Sequence, residues 1–335
     1  MSYVKSDHYD GHTFFNLKNN NVDKGFFDII KWRFTSSKIK WPEFVSDNHR
    51  PQIKDVKEIR SNEVYVTYIN HASHLIQLKD INILTDPLFS SRASPFSWIG
   101  PKRVRAAGIL IEELPNIDLV LISHNHFDHL DQPSIKQLIY KFNPTFIVPI
   151  GNKQYIEEMG SKKIIELDWW QTTSQKDINI VVVPAQHWSL RFPGSRNKAL
   201  WSGFIIESAK IKILFSGDCG YSNTFKDIKE KFGQIDISII PIGSYSPRWF
   251  MQVQHMDPED AVKAHIDLNS NLSIANHYGT FQLSDEGIDD PIKELKIQLK
   301  KYNIADNLFL TPKNGETLYY ISLGGYAAVA FRDSD

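Results

Sequence analysis

One short loop carries an unusual density of side chains that can bind a metal. The apolar run LVLIS (119–123) is followed at once by HNHFDHLD, where three histidines and one aspartate fall within six positions: His124, His126, Asp128 and His129. A lone histidine in such a place is usually a satisfied core or loop residue, but this density favours a metal site. His124 and His126, two residues apart, can direct their rings toward the same ion. Asp128 and His129 can then direct their side chains toward a second, neighbouring ion. The pattern therefore predicts a loop that serves two metal ions.

Three further residues of ligand type follow predicted strands and can complete the two coordination spheres. His187 follows INIVVVPAQ, Asp218 follows IKILFSG, and His277 follows LSIAN. Functional sites on such sheets gather at the carboxyl ends of strands. Each of the three, taken alone, could equally be a capping or core polar residue, so the assignment depends on the loop. We predict two sets joined by a bridging Asp218, with His124, His126 and His187 for one ion and Asp128, His129 and His277 for the other.

The chemistry of this set is that of a hydrolytic metal centre. Five imidazoles and two carboxylates suit Zn²⁺ best, with Fe and Mn as alternatives. Two such ions about 3.5–4 Å apart can hold a bridging water and lower its pKa toward about 7. The ions also spread the charge that develops on a substrate oxygen in the transition state. We therefore expect two Zn²⁺ per chain and hydrolysis by attack of a metal-bridging hydroxide, with no covalent nucleophile; Cys219 is not assigned as one.

The composition of the chain of 335 residues agrees with metals held by nitrogen and oxygen. It contains 12 His but one Cys, which excludes a disulfide framework and a zinc site built from cysteines. The net charge of −1 disfavours nucleic acid as a partner, because polyanion-binding proteins usually carry a basic surplus. The sequence has no apolar run of about 18 residues and no apolar signal-peptide segment at its start. We therefore expect a cytoplasmic protein.

Sheets and helices must position these ligands. Ten short β-branched or apolar runs begin after residue 63, at 64–69, 74–78, 81–85, 119–123, 145–150, 178–183, 204–207, 211–216, 236–242 and 272–276. Helical patterns at 133–142, 258–268 and 291–302 separate several of them. This mixture predicts one α/β (α+β) sandwich domain over residues 61–335. Residues 1–60 are predicted to be an N-terminal extension packed on it.

A short amphipathic helix is expected inside that extension. Residues 25–34 (GFFDIIKWRF) place four apolar side chains on one face: Phe26, Phe27, Ile30 and Phe34. This face is expected to pack on the main domain, and contact with a partner or a membrane is the alternative.

The motifs around the ligands resemble the metallo-β-lactamase superfamily. HNHFDHLD, followed by His187, Asp218 and His277, is similar to the dinuclear site of that fold, a four-layer αββα sandwich with its metals at one edge. Segments over roughly residues 60–285 resemble the N-acyl phosphatidylethanolamine-hydrolysing phospholipase D family: TDPLFSSRASPFSWIGPKR, PAQHWSLR, LWSGF, GDCGY, PIGSYSPRWFMQVQHMDPEDAV and NHYGTF. DHYDGHTFFN (7–16) is similar to the start of bacterial members. The resemblance implies a phosphodiesterase that cuts a phospholipid on the headgroup side of its phosphate, and the seven ligands carry over position by position.

The resemblance also assigns residues beside the ligands. Asp86 matches a family carboxylate near the metals and is expected to orient a ligand or a water, although an Asx turn before Pro87 would also explain it. His255 matches a family histidine at the site and is expected to contact the substrate phosphate or to pass a proton to the leaving oxygen. A surface-loop histidine is the alternative. Together with the bridging carboxylate they form the predicted catalytic set: Asp218, His255 and Asp86.

Predicted substrate contacts lie in loops. Ser97 and Trp98 stand where the family contacts its substrate, as does His255, but the first two differ from the eukaryotic pattern and leave the headgroup open. Aromatic side chains in such loops could shape an acyl-chain groove, reach a membrane interface or simply pack: Phe96, Trp98, Trp188, Trp249 and Phe250.

Other charged and ionisable residues receive weaker interpretations. A basic cluster after Gly100 is either a contact for lipid phosphates or a solvated surface: Lys102, Arg103 and Arg105. His71 and His74 flank the start of a predicted strand and are not assigned as ligands.

Three hypotheses of function remain. The first is a two-metal phosphodiesterase acting on N-acyl phosphatidylethanolamine or a related phospholipid, and the motifs outside the ligands favour it. The second keeps the metal site but acts on a lactone, a sugar-phosphate lactone or another phosphodiester, because one fold serves many substrates. The third is a non-enzymatic metal-bound sensor or scaffold, which the complete ligand set disfavours. A homodimer and a peripheral membrane contact are further hypotheses from the resemblance.

Overall fold

The computed structural model describes residues 3–17, 24–47, 49–322 and 327–331. The strands are β1 (Glu63–Asn70), β2 (Ser73–Leu78), β3 (Ile81–Thr85), β4 (Leu119–Leu121), β5 (Thr145–Pro149), β6 (Ile164–Leu167), β7 (Thr172–Gln175), β8 (Ile178–Val183), β9 (Gly203–Glu207), β10 (Lys212–Phe215), β11 (Ile237–Pro241), β12 (Leu272–Asn276), β13 (Phe309–Leu310), β14 (Thr317–Ser322) and β15 (Ala327–Phe331). The helices are α1 (Phe26–Thr35), α2 (Gln132–Phe142), α3 (Lys153–Glu158), α4 (Thr224–Phe232), α5 (Arg248–Met251), α6 (Pro258–Leu268) and α7 (Asp290–Lys301). The three predicted helices of the main domain correspond to α2, α6 and α7.

The strands form two mixed sheets that face each other. The first has the order β15-β14-β1-β2-β3-β4-β5-β6 and changes from antiparallel to parallel pairing at β3. The second has the order β13-β12-β11-β10-β9-β8-β7 and changes from parallel to antiparallel pairing at β10. Helices α2 and α3 contribute apolar side chains to a core on the outer face of the first sheet, and α4, α6 and α7 pack with the second. The architecture is therefore the predicted four-layer αββα sandwich.

Strand β4 shows why its sequence has no polar alternation. Leu119 and Leu121 belong to the core between the sheets, whereas Val120 and Ile122 belong to the core shared with α2. A strand covered on both faces is apolar throughout, as parallel strands in layered folds are. Polar residues can therefore follow only after β4 has ended. The histidine-rich segment 124–131, called the ligand loop below, begins shortly after that end.

The ligand-bearing loops meet at one edge of the sandwich. β4 runs parallel to its neighbours β3 and β5, and β10 runs parallel to β11, which in turn pairs parallel to β12. The carboxyl ends of these strands therefore point the same way within each sheet. Together with the end of β8, they deliver all seven predicted ligands to this edge.

Helix α1 forms as predicted but docks through a different side chain. Trp32 packs against Phe250 with ring centroids 4.8 Å apart and the rings tilted by 34°, and its Nε1 donates to Asp285 at 3.0 Å. Phe27 and Phe34, expected on the packed face, are 83% and 84% exposed. The predicted face was therefore wrong in part, because the indole satisfies both an aromatic contact and a hydrogen bond and so sets how the helix lies.

Across the described ranges, no helix combines the length and the apolar character needed to cross a membrane.

Candidate metal centre

The three nitrogens predicted for the first ion converge. His124 Nε2 lies 2.8 Å from His126 Nδ1, and His187 Nε2 lies 3.4 Å from the same atom. A tetrahedral zinc with Zn–N distances of about 2.0–2.1 Å needs its nitrogens about 3.3 Å apart. Burial lowers the pKa of His124 and His187 well below the usual value for histidine, and that of His126 to about 4. The rings are therefore neutral, which is the state in which histidine binds a metal.

The second set converges on two carboxylates. Nε2 of His129 and Nε2 of His277 each lie 3.1 Å from Asp218 Oδ2 and 3.5 Å from Asp128 Oδ2. Burial alone would lower the pKa of His277, but Asp218 and Asp128 beside it outweigh burial and raise the pKa to about 9. Two nitrogens and two carboxylate oxygens thus face one small volume, as the ligands of a divalent cation do.

Asp218 is placed to serve both sets. Its Oδ2 faces His129 and His277, while its Oδ1 is buried and has no hydrogen-bond partner among the described residues. A carboxylate oxygen of Asp218 also lies within 4.8 Å of a ring nitrogen of His187, and His187 belongs to the first set. A buried polar atom without a hydrogen-bond partner costs about 1–3 kcal/mol. The residues present therefore fit divalent cations on both sides of Asp218.

Asp86 fixes the orientation of His129. Its Oδ2 lies 2.7 Å from His129 Nδ1 and accepts from Ser123 Oγ at 2.6 Å, while its Oδ1 accepts from Ser123 N at 2.7 Å. A proton shared between Nδ1 and this carboxylate leaves His129 Nε2 free for a metal. Ser123 Oγ also lies 2.9 Å from His124 Nδ1. These contacts go to the ligand loop, so the carboxylate does more than form a local turn before Pro87.

His255 lies at the cluster and not on a remote surface loop. Its Nδ1 is 3.9 Å from Asp218 Oδ2, and its ring centroid is 5.3 Å from that of His187 and 5.5 Å from that of His277. Arg248 holds the backbone of this loop by donating to the His255 carbonyl at 2.9 Å. Nδ1 of His255 is buried and has no hydrogen-bond partner among the described residues. The imidazole is therefore available to a group that enters the site.

The two predicted loop contacts differ in placement. Ser97 lines a cavity of about 290 Å³ that Phe127 of the ligand loop and the buried Arg191 also line. Trp98 does not line that cavity and is 73% exposed. The neighbouring Phe96 lines the cavity and is 54% exposed. Ser97 is thus connected to the ligand loop, whereas Trp98 faces outward.

The basic cluster does not form a free lipid-phosphate contact. Arg103 turns inward and donates to the carbonyls of Leu88 and Ser90, both at 2.9 Å. Arg105 pairs with both carboxylate oxygens of Asp47 at 2.8 Å. Of the three residues, only Lys102 is exposed. Neither interpretation, a contact for lipid phosphates or a solvated surface, describes the two arginines, because sequence proximity does not show where a long guanidinium side chain turns.

Two residues at the site were not predicted from the sequence to belong to it. His71, to which no role was assigned, has its Nε2 3.2 Å from Asp128 Oδ2 and its ring 4.0 Å from that of His277. It directly follows β1, so the rule that found the other strand-end ligands would have found it. Arg191 donates to the carbonyls of Asn125 and Leu130 at 3.2 and 2.7 Å and thereby braces the ligand loop. No local pattern marks it.

Comparison with known proteins gives consistent matches. Residues 81–278 match the β-lactamase superfamily domain. An N-acyl-phosphatidylethanolamine-hydrolyzing phospholipase D 1 of Caenorhabditis elegans is 35% identical, over 76% of this chain and 75% of that protein. A mitochondrial N-acyl-phosphatidylethanolamine-hydrolyzing phospholipase D of Saccharomyces cerevisiae is also 35% identical, over 80% of this chain and 58% of that protein.

Solved structures agree on the fold. An isothiocyanate hydrolase from Delia radicum gut bacteria superposes with a TM-score of 0.63 over 77% of this chain and all of its own, at 17% identity. At that identity the likeness concerns the architecture alone. The sandwich, the converging ligand sets and the sequence matches lead to one conclusion: the chain belongs to the β-lactamase superfamily and, within it, to the family of the N-acyl-phosphatidylethanolamine-hydrolysing phospholipases D.

Proposed function

We propose that the protein is a metal-dependent hydrolase of phospholipase D type that cleaves N-acyl phosphatidylethanolamine or a related phospholipid. The observation that carries this proposal is the pair of converging ligand sets with Asp218 between them. When bound, divalent ions supply Lewis acidity toward a phosphoryl oxygen and lower the pKa of water. The residues proposed to hold two ions are the seven predicted ligands: His124, His126, Asp128, His129, His187, Asp218 and His277. Their donor atoms favour Zn²⁺, with Fe and Mn as alternatives.

Residues beside the ligands receive distinct roles in this proposal. The unpartnered Nδ1 of His255 would contact the substrate phosphate or pass a proton to the leaving oxygen. Asp86 would keep His129 in the tautomer that presents Nε2. The cavity beside Ser97 would receive the part of the substrate next to the scissile bond.

The choice of a lipid substrate has two supports. Relatives in the nematode and in yeast are named for hydrolysis of N-acyl phosphatidylethanolamine. In addition, loops near the site and the short helix α5 expose aromatic side chains, as do proteins that dip into a membrane interface: Phe96 54%, Trp98 73%, Phe192 52% and, on α5, Trp249 39%. We therefore include peripheral membrane contact in the proposal. The homodimer and the cytoplasmic location stay predictions.

Metal analysis and a lipid assay test the activity. Elemental analysis of the purified protein should find about two divalent ions per chain. Incubation with N-acyl phosphatidylethanolamine, followed by mass spectrometry, should show an N-acylethanolamine and phosphatidic acid, and chelated protein is the control. Absence of bound metal, or turnover of lactones without cleavage of any phosphodiester, would overturn the proposal.

Vesicle sedimentation tests the membrane contact. Trp98→Ser should lower the fraction of protein bound to phosphatidylethanolamine vesicles several-fold, because an exposed indole is lost from the loop. Tyr140→Ser is the matched control, since Tyr140 is 94% exposed but lies on α2, away from these loops. Equal binding of both variants and the wild type would refute the role of this loop.

A further inference from the structure

The N-terminal part of the chain reaches the back of one predicted ligand. Asn16 Nδ2 donates to the carbonyl of His187 at 2.8 Å, and Asn16 Oδ1 accepts from the His187 N–H at 3.2 Å and from Trp201 Nε1 at 3.1 Å. Asn16 is only 6% exposed. One side-chain amide thus satisfies both backbone groups of His187, as a neighbouring strand would.

The ring of His187 is fixed from a second direction. Its Nδ1 lies 3.0 Å from the carbonyl oxygen of Gln254 and its Nε2 lies 3.4 Å from His126 Nδ1. A proton on Nδ1, donated to that carbonyl, leaves Nε2 for the metal. The position of Nε2 therefore depends on the backbone contact with Asn16 and on the ring contact with Gln254. Without the amide, two buried backbone groups lose their partners and the residue that carries the imidazole is free to shift.

The segment that carries Asn16 is itself anchored. Phe14 N donates to the Asn197 carbonyl at 2.8 Å. The His8 ring lies 2.7 Å from Asp168 Oδ1 and stacks on Trp169 with centroids 4.4 Å apart. Trp169 Nε1 in turn donates to the carbonyl of Trp201 at 2.8 Å. Several contacts therefore hold residues 3–17 on the domain at the point where Asn16 meets His187.

We propose that residues 3–17 are a part of the metal centre and that Asn16 is its positioning residue. Asn16 fixes the position of the His187 imidazole. It thereby determines the affinity and coordination geometry of the ion that His187 would hold together with His124 and His126. The proposal rests on the metal centre proposed above. Groups that orient metal ligands typically change metal affinity by about 10–100-fold when they are removed, and we expect an effect of that size here.

Titration of the metal-free protein with Co²⁺ tests this, because visible absorption of Co²⁺ reports its coordination geometry. Asn16→Ala should weaken one of two Co²⁺ binding steps by about 10–100-fold and change the absorption spectrum. Asn16→Gln keeps both the donor and the acceptor of the amide but moves them by one methylene, so it should fold and show a smaller loss. It supplies the test if the alanine variant does not fold.

Asn82→Ala is the matched control for a merely structural effect. Asn82 is 5% exposed, donates to the Asn116 carbonyl at 2.8 Å and lies at the start of β3, away from the ligand edge. It should lower the urea midpoint while leaving both Co²⁺ affinities and the spectrum unchanged. Unchanged Co²⁺ affinity and spectrum in both Asn16 variants would overturn the positioning role alone. A wild-type protein that binds no Co²⁺ would overturn the metal centre itself, and the positioning role with it.

Discussion

The exchange of Asp86 for asparagine should change which nitrogen of His129 carries the proton. One oxygen of Asp86 accepts from the backbone N–H of Ser123, which cannot turn away, so the new amide must place its carbonyl there. Its NH₂ group then faces the Ser123 hydroxyl and His129 Nδ1. The hydroxyl can rotate, but Nδ1 must become an acceptor. The proton moves to Nε2, the atom that lies 3.1 Å from Asp218 Oδ2 and is needed for the metal.

The expected loss is about 10–100-fold in affinity for one ion, which corresponds to about 1.4–2.8 kcal/mol. Competition with a coloured zinc chelator measures it, and the other binding step should change little. Asp118→Asn is the control, because its carboxylate also accepts a backbone N–H at 2.9 Å but precedes β4, at the opposite end from the ligand loop. Wild-type affinity of Asp86→Asn for both ions would refute the tautomer argument.

Three further predictions concern other parts of the molecule. Asp218→Asn should abolish turnover and lower the metal content, because it removes the negative charge between the two sets; full activity in the lipid assay would refute the bridging role. Arg191→Met should lower the free energy of unfolding by about 2–4 kcal/mol, since two carbonyls lose a charged donor; a change below about 0.5 kcal/mol in urea titration would contradict this. Burial lowers the pKa of His8, but hydrogen bonds to Asp168 and Asp7 outweigh burial and raise the pKa above its usual 6.5. These pairs therefore stabilise the fold fully below about pH 6.5 and lose that effect as pH rises through the raised value. The wild type should approach His8→Gln in unfolding free energy as the pH rises above about 6.5, and a constant difference would contradict the pairing.

The meeting of the seven predicted ligands at one edge could be expected from the sequence because their signal is local. Each of the strand-borne ligands lies a few residues beyond an apolar run, and strands buried on both faces leave polar residues only at their ends. Apolar runs did not predict β7, because its sequence TTSQ contains no apolar residue. This strand is recognised only by its backbone pairing with β8. An edge strand of this kind is held by its neighbour and not by its own burial.

Contacts between distant segments could not be predicted. Asn16 and His187 are 171 positions apart, and nothing in DGHTFFN shows that the last residue pairs with a ligand backbone. Arg103 and Arg105 show the converse, since a visible cluster of charge proved to be a set of internal contacts. In both cases the outcome depends on which buried polar groups lie nearby after folding, and those are set by tertiary structure.

The backbone conformation around the site indicates that the predicted ligands and their neighbours are held in place at some cost to stability. Asp86, His71 and His277 all have positive φ, at 32°, 47° and 60°, in a region that costs such residues about 1–3 kcal/mol each. Two of them are held by backbone hydrogen bonds, from Asp86 N to the Leu121 carbonyl at 2.9 Å and from His277 N to the His71 carbonyl at 2.8 Å. Gly217, before Asp218, has φ of 61°, and a Cβ there would lie 2.6 Å from a backbone oxygen. Strain of this kind persists only where surrounding contacts over-determine it, and it clusters at functional sites. Of the eleven non-glycine residues with positive φ in the described ranges, three lie among or beside the seven predicted ligands, where hydrogen bonds hold the strained backbone and fix the positions of the side chains.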